Sequence, residues 1–415
     1  MFGDPVRRVA AGGIWLLALA AGCGAGAGVG GDSGGGEGQR YLVDATFRRA
    51  RLVASLVNPA NEYSKLRLLH YATGAARDGA GDWDHLPVWN PAVAPVFPGG
   101  AAVGALVPLT VTGDAAQLRS LGEAAFFRYP AQLASFVLPA LAKPQSINRY
   151  GLWSDAAHGA GGVVSVQFSD GTYGAAITCS TCHARMEGGA LVAGLPNQQL
   201  DLGALMSASG GGSDWGPGRI DVAPPPGEEP IAIPDLRPVA FLTNLHRDGT
   251  VENNLIALAI RIETLIITSH GGVIRAPREV SLGLAVYLWS LAPPPIMKTP
   301  DPGSSAGRGA ALFELRCAHC HAPPGFSGPP VSLDVAGTDP RVGLSRDRGT
   351  GGYRVPSLRG IKARGRLLHD NSAPDLDTLF DPGRLQASSP IVGHRFGLDL
   401  SLSERADLLS YLRTL

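Results

Sequence analysis

Apolar side chains recur at helical spacing in two pairs of segments set far apart in the chain. The first pair is Leu118 to Tyr129, carrying Phe126 and Phe127, and Val280-Ser-Leu-Gly-Leu-Ala-Val-Tyr-Leu-Trp-Ser-Leu291. The second opens at Ser304 or Ser305, either of which caps a helix running through Leu312, Phe313 and Arg316. It closes with Arg405-Ala-Asp-Leu-Leu-Ser-Tyr-Leu-Arg-Thr-Leu415, whose apolar face is Leu408, Tyr411, Leu412 and Leu415. Leu255 to Ile267 is the most apolar stretch. Arg261 and Glu263 interrupt it, which predicts a half-buried helix rather than a membrane span. Residues 40–73 predict two helices broken at Asn58-Pro59, and the loop from Asp82 to Pro91 is rich in Trp and Pro. Alternation in Gly161-Gly-Val-Val-Ser-Val-Gln-Phe168, followed by Gly171-Thr-Tyr173, predicts a small β-hairpin.

The helix pairs belong to a longer internal repeat. Between the members of the first pair lie Pro234-Asp-Leu-Arg237 and Leu245-His-Arg-Asp-Gly249. Between those of the second lie Pro356-Ser-Leu-Arg359 and Leu367-Leu-His-Asp-Asn371. The closing segments share Tyr-Leu-x-x-Leu. Three landmarks in the same order mark a tandem duplication.

Each set of landmarks follows a C-x-x-C-H run: Cys179-Ser-Thr-Cys182-His183 and Cys317-Ala-His-Cys320-His321. This is the attachment sequence for c-type haem. On a helical turn, positions i, i+3 and i+4 share one face. Two thiols there form thioethers with the haem vinyl groups while the adjacent imidazole reaches the iron. Phe313, Cys317, Cys320 and His321 extend that face at i, i+4, i+7 and i+8. A zinc site is the alternative, since two C-x-x-C pairs supply four thiolates, but it leaves the His after each pair unexplained twice. A disulfide framework lacks partner cysteines. Two covalently bound haem c groups are therefore expected, on Cys179, Cys182 and His183 and on Cys317, Cys320 and His321, with His183 and His321 as proximal iron ligands.

An opening helix packed across a closing helix, with haem between, is the cytochrome c architecture. The chain therefore reads as mainly α: two tandem cytochrome c domains with long irregular inserts and a small β-hairpin in the first. Residues 40–117 read as a helical and irregular region packing on the first domain, 118–292 as that domain in expanded form, 293–303 as a Pro/Gly linker opened by Pro293-Pro-Pro295, and 304–415 as the second domain.

A length of 415 residues with 45% hydrophobic content suits two or three packed domains. The 35 basic residues balance the 35 acidic ones, so no electrostatic case for nucleic acid arises. Of five cysteines the motifs use four, and the fifth, Cys23, ends a short export signal. Arg7 and Arg8 form its positive region, Ile14 to Ala21 its apolar core, and Ala20, Ala21 and Gly22 lead to the Cys. Residues 1–22 resemble a lipoprotein signal peptide, with Ala20 where Leu is favoured; an ordinary cleaved signal is the alternative. Residues 23–39 form a glycine-rich tether. The expectation is an exported periplasmic, outer-membrane or cell-surface lipoprotein of a bacterium, held to the membrane by a lipid at Cys23.

The landmarks resemble the bacterial di-haem cytochrome c peroxidase and di-haem oxidase superfamily, whose members carry a C-x-x-C-H in each of two cytochrome c domains. Val355-Pro-Ser-Leu-Arg-Gly360 with Leu368-His-Asp-Asn-Ser-Ala-Pro374 matches the C-terminal half of that family. Ile233-Pro-Asp-Leu-Arg237 with Leu245-His-Arg-Asp-Gly249 matches the N-terminal half more loosely. The likeness covers residues 118–415. Two departures bear on function. Gly383 stands near the place where the family's second haem takes a Met, with no Met after Met297, and Arg247 replaces the aromatic residue before the Asp-Gly pair.

With no such Met, His394 is the leading second ligand for the second haem, ahead of His369, a Tyr, a Lys or an open site. For the first haem the choices are Met206, His246 or an open position; Met186 is too near His183, and His70, His85, His158 and His270 are weaker. Arg237 and Arg359 pair with haem propionates or lie at the surface, and Glu263 is a distal acid–base group or a residue of the wet face. The leading expectation is electron transfer between the haems and a redox partner protein or small donor. The alternative is a peroxidase or oxidase in which the first haem activates peroxide or dioxygen and the second relays electrons. A haem-based sensor or structural lipoprotein is a third possibility.

Overall fold

The computed structural model describes residues 36–73, 114–141, 145–167, 173–210, 215–221, 230–272, 274–296 and 300–415. The signal segment, Cys23, the tether as far as residue 35, His85, the Trp/Pro-rich loop and Met297 lie outside the described residues. What is described is mainly helical, with small antiparallel sheets of two or three strands. The hairpin pairs Val163–Gln167 with Tyr173–Ile177, and Gln132–Leu133 adds a third strand.

Both helix pairs form. Ala115–Arg128 crosses Arg278–Trp289, and Ser305–Arg316 crosses Leu402–Leu412. Caps set their starts: Asp114 accepts from Ala116 and Gln117, Ser304 from Gly307, and Ser401 with Glu404 closes a capping box. A glycine sits at each crossing. A Cβ on Gly122 would lie 1.9 Å from the Gly283 carbonyl oxygen, and one on Gly309 1.9 Å from that of Asp407. One turn beyond each glycine, Phe126 and Phe313 are fully buried.

The repeat extends to backbone geometry. His246 and Gly249 have φ of 64° and 67°, and their counterparts Leu368 and Asn371 have 68° and 60°. Leu245 pairs with Val251 as Leu367 bridges to Ala373. Asp248 accepts from the amide and hydroxyl of Thr250 as Asp370 does from those of Ser372. Both turns obey one local hydrogen-bond logic, an Asp side chain closing its own loop two residues on.

Three expectations are corrected. Residues 36–73 form three helices rather than two: Gly36–Val43, Ala45–Ala54 and Glu62–Thr73, with Asn58-Pro59 between the last two. Helix Leu255–Ser269 is almost wholly buried rather than half-buried, because it packs against both Arg278–Trp289 and the N-terminal helices. Its Glu263 is fully buried, accepting from the Tyr41 hydroxyl at 2.8 Å and pairing with Arg275. Third, helix Ser305–Arg316 ends before the second C-x-x-C-H run, which is a turn closed by the amides of Cys320 and His321 on the Cys317 carbonyl at 3.1 and 2.9 Å. Among the described residues no helix is long and apolar enough to cross a membrane.

Candidate functional site

The two C-x-x-C-H runs open onto one continuous cavity of about 730 Å³. The first run is itself a short helix, Cys179–His183. Trp153 fixes it by donating its indole N–H to the Ser180 carbonyl at 2.9 Å, and the hairpin holds its start through Thr178 N to Gly162 O, also 2.9 Å. Behind the second run, Gly328 lies so close to the Cys320 carbonyl that a Cβ there would come within 2.3 Å of it.

Both motif histidines are oriented in the same way. His183 Nδ1 donates to the Pro234 carbonyl at 3.1 Å and His321 Nδ1 to that of Phe326 at 3.2 Å, with the Pro356 carbonyl also favouring the proton. Pro234 and Pro356 are the repeated landmarks, so the Pro-x-Leu-Arg segment backs the motif His in each half. A carbonyl on Nδ1 fixes the tautomer and leaves Nε2 unprotonated, the form in which it could accept a metal. Burial pushes both imidazoles down to about 4, which keeps the rings neutral near pH 7 with an unprotonated nitrogen. The cysteines are free thiols; burial raises Cys179 and Cys182 to about 12 and Cys317 to about 11. Among the described residues no three His, Cys, Asp or Glu side chains converge as a metal-ion cage.

His394 lines the same cavity as His321. It follows Gly393, whose Cα packs so tightly on Gly337 and Thr338 that a Cβ would sit 2.2 Å from their backbone. His394 itself has φ of 43°, and its amide bonds to Ala336 O at 2.8 Å. Its Nδ1 is buried without a hydrogen-bond partner. Burial, with His321 and Arg384 adding to it, holds the ring at about 4. His369 also lines the cavity, stacked on Tyr353 with ring centroids 3.8 Å apart.

Among the described residues the first half offers no comparable imidazole. His246 is in the cavity wall, but both nitrogens are used: Nδ1 toward Thr250 Oγ1 at 2.6 Å and Nε2 accepting from Arg261 Nε at 2.7 Å. Met186, Met206, His70, His158 and His270 do not line the cavity. Glu263 does not either; its charge is spent on Arg275 and Tyr41, which removes it as a distal acid–base group.

The arginines expected at the propionates are elsewhere. Arg237 folds onto Asp235, Nε to Oδ1 at 3.0 Å, and Arg359 donates to the Pro294 carbonyl at 3.0 and 2.7 Å. The cavity takes its charge from seven others, Arg219, Arg247, Arg261, Arg316, Arg354, Arg364 and Arg366, against a single carboxylate, Asp235. Burial and the neighbouring Arg364 press Arg354 down to about 10. Arg316 and Arg366 reach solvent, whereas burial lowers Arg261, Arg354 and Arg364; such an excess of guanidinium favours anionic occupants, and the propionates of two haems would supply carboxylates of that kind. Free thiols, imidazoles aimed by carbonyls, apolar walls and cationic lining together fit haem. Sequence reading noted Arg247, Arg261 and Arg316 but assigned none of these arginines to the site; only tertiary contacts bring Arg261, Arg354 and Arg364 to one space.

No protein-family model matches the chain, and no curated protein matches it. Among solved structures there is a weak likeness to a MauG-like protein associated with microbial copper homeostasis, at 22% identity and a TM-score of 0.26. The match covers 33% of this chain and 56% of that one, so the chain spans about half the length of that neighbour.

Proposed function

We propose that this chain is a di-haem c-type cytochrome of the di-haem peroxidase and oxidase kind, moving electrons through two haems attached at Cys179/Cys182 and Cys317/Cys320. The observation that carries the reading is the pair of motif histidines, each turned by a backbone carbonyl at Nδ1 in one shared cavity. When bound, haem supplies a one-electron redox couple whose potential follows its axial ligands and surroundings. The chain's part is to hold the iron through His183 and His321, to add His394 as second ligand in the second half, and to neutralise propionates with the cavity arginines. The whole is exported and lipid-anchored at Cys23, and exchanges electrons with a redox partner protein or small donor.

A pyridine haemochrome assay on the purified protein is expected to count two haems per chain, both retained through acid–acetone extraction. Cys179→Ala with Cys182→Ala removes one and leaves the other. Extractable haem, or zinc in its place, overturns the proposal.

A second reading is favoured by the commitment of both His246 nitrogens. With no imidazole or thioether ready for it among the described residues, the first haem keeps an open position and reacts with a small oxidant, while the second relays electrons. The test is whether one haem of the ferrous protein binds carbon monoxide and the other does not.

A further inference from the structure

We propose that Arg261, held in place by His246, binds and polarises a small anion that ligates the iron at the first haem site. This rests on the reading that the first haem keeps an open position.

The tautomers along this hydrogen-bond chain follow from donor and acceptor chemistry. A guanidinium has no acceptor, so the 2.7 Å contact requires Arg261 Nε–H to donate to His246 Nε2. The proton of the neutral ring is then on Nδ1, and it donates to Thr250 Oγ1 at 2.6 Å. Thr250 in turn donates its hydroxyl proton to Asp248 Oδ1 at 3.1 Å. The chain runs one way, from Arg261 to a fully buried carboxylate. Tyr63 packs edge-on to His246, with centroids 5.3 Å apart, and the backbone at His246 accepts a φ of 64° to put the ring there. Strain of that kind at a non-glycine residue persists where the surroundings over-determine it.

Only one nitrogen of Arg261 is used by this arrangement. Its two terminal nitrogens make no hydrogen bond among the described residues, and the residue lines the cavity between Leu258, Ile262 and Leu265 of its own helix. That helix packs on Arg278–Trp289 in the first half. A fixed guanidinium facing an apolar wall is poorly solvated, and an anion bound beside it relieves that cost. The nearby carboxylate Asp248 is engaged by Thr250 and Arg348. Arg67, buried behind the same helix with its Nε on Thr264 Oγ1 at 3.3 Å and both terminal nitrogens unpartnered, adds positive charge. The ligand class is a small anion able to ligate ferric iron, of which fluoride, azide and deprotonated peroxide are examples. A haem propionate is the competing partner for the same guanidinium.

The test titrates the ferric holoprotein with fluoride and the ferrous holoprotein with carbon monoxide, following the first haem by absorption. Arg261→Leu is expected to weaken fluoride about tenfold or more, the loss of one charge-assisted hydrogen bond, while neutral carbon monoxide changes less than about twofold. Arg261→Lys, which keeps the charge and protects against failure to fold, weakens fluoride by a smaller factor. His246→Leu frees the guanidinium and also weakens fluoride, and His246→Gln, whose amide oxygen still accepts from Nε, restores most of it. Fluoride affinity in Arg261→Leu within about twofold of the parent overturns the proposal and assigns the arginine to a propionate. A parent that binds neither ligand overturns the open-site reading itself.

Discussion

The ring of Phe313 lies 5.3 Å from that of Tyr411, and the ring of Phe126 lies 5.5 Å from that of Tyr287. Each phenylalanine stands one turn beyond the glycine on which its helix crosses the closing helix, so a Gly-x-x-x-Phe segment meets a Tyr twice in one chain. The glycine brings the backbones into contact, and the aromatic pair packs beside the crossing. Offset rings at this spacing add roughly 0.5–1.5 kcal/mol beyond the area they bury.

Substituting either crossing glycine by alanine is expected to destabilise the protein despite the better helix propensity of alanine. The gain in propensity is about 1 kcal/mol. The added Cβ meets a backbone carbonyl that cannot step aside, and overpacking of this kind costs typically 1–3 kcal/mol or more. Denaturant unfolding of Gly122→Ala and Gly309→Ala would measure it. A neutral result at both would mean that the crossings are looser than the 1.9 Å contacts imply.

His394→Ala is expected to open the second iron, changing its spin state and admitting carbon monoxide where the parent does not. His394→Met is expected to raise the potential, as a thioether does relative to imidazole. If the spectrum and potential of the alanine variant are those of the parent, His369 becomes the ligand.

Glu263→Ala leaves the buried Arg275 guanidinium without its carboxylate and the Tyr41 hydroxyl without its acceptor. Breaking a buried pair from one side costs about 3–5 kcal/mol. The expected signature is lower stability with unchanged haem spectra and unchanged peroxide reactivity. Altered reactivity at unchanged stability would return Glu263 to the site.

Stability is expected to fall on acidification through His270. Burial holds this imidazole at about 4, below its ordinary value near 6.5, and its Nδ1 donates to Ile266 O at 2.6 Å. Below pH 6.5 the unfolded chain therefore binds a proton that the folded chain refuses. The stabilisation is complete above that pH and is lost progressively down to about pH 4, on the order of 3 kcal/mol in all. His270→Gln should flatten the dependence in that window. An unchanged slope would assign it to other groups.

The parts of this fold readable in the sequence are those that local chemistry dictates. The C-x-x-C-H runs, both helix pairs, the hairpin and the break at Asn58-Pro59 each follow from spacing or turn residues within a dozen positions. What could not be read depends on contacts across hundreds of residues. Glu263 looks like a charge on an amphipathic helix until Tyr41 and Arg275 are packed against it. Arg237 looks like a propionate partner until Asp235, two residues away, takes it. The end of helix Ser305–Arg316 is not legible either, because the motif's own spacing suits either a helix or the tight turn that it adopts.

The cavity shared by the two motifs ties the filling of one site to the stability of the whole. Loading one site leaves the walls of the other half without packing partners, and a void in a core lowers stability by an amount that grows with its volume. On the proposed di-haem reading, a chain carrying a single haem is therefore less stable than one carrying two and opens more often.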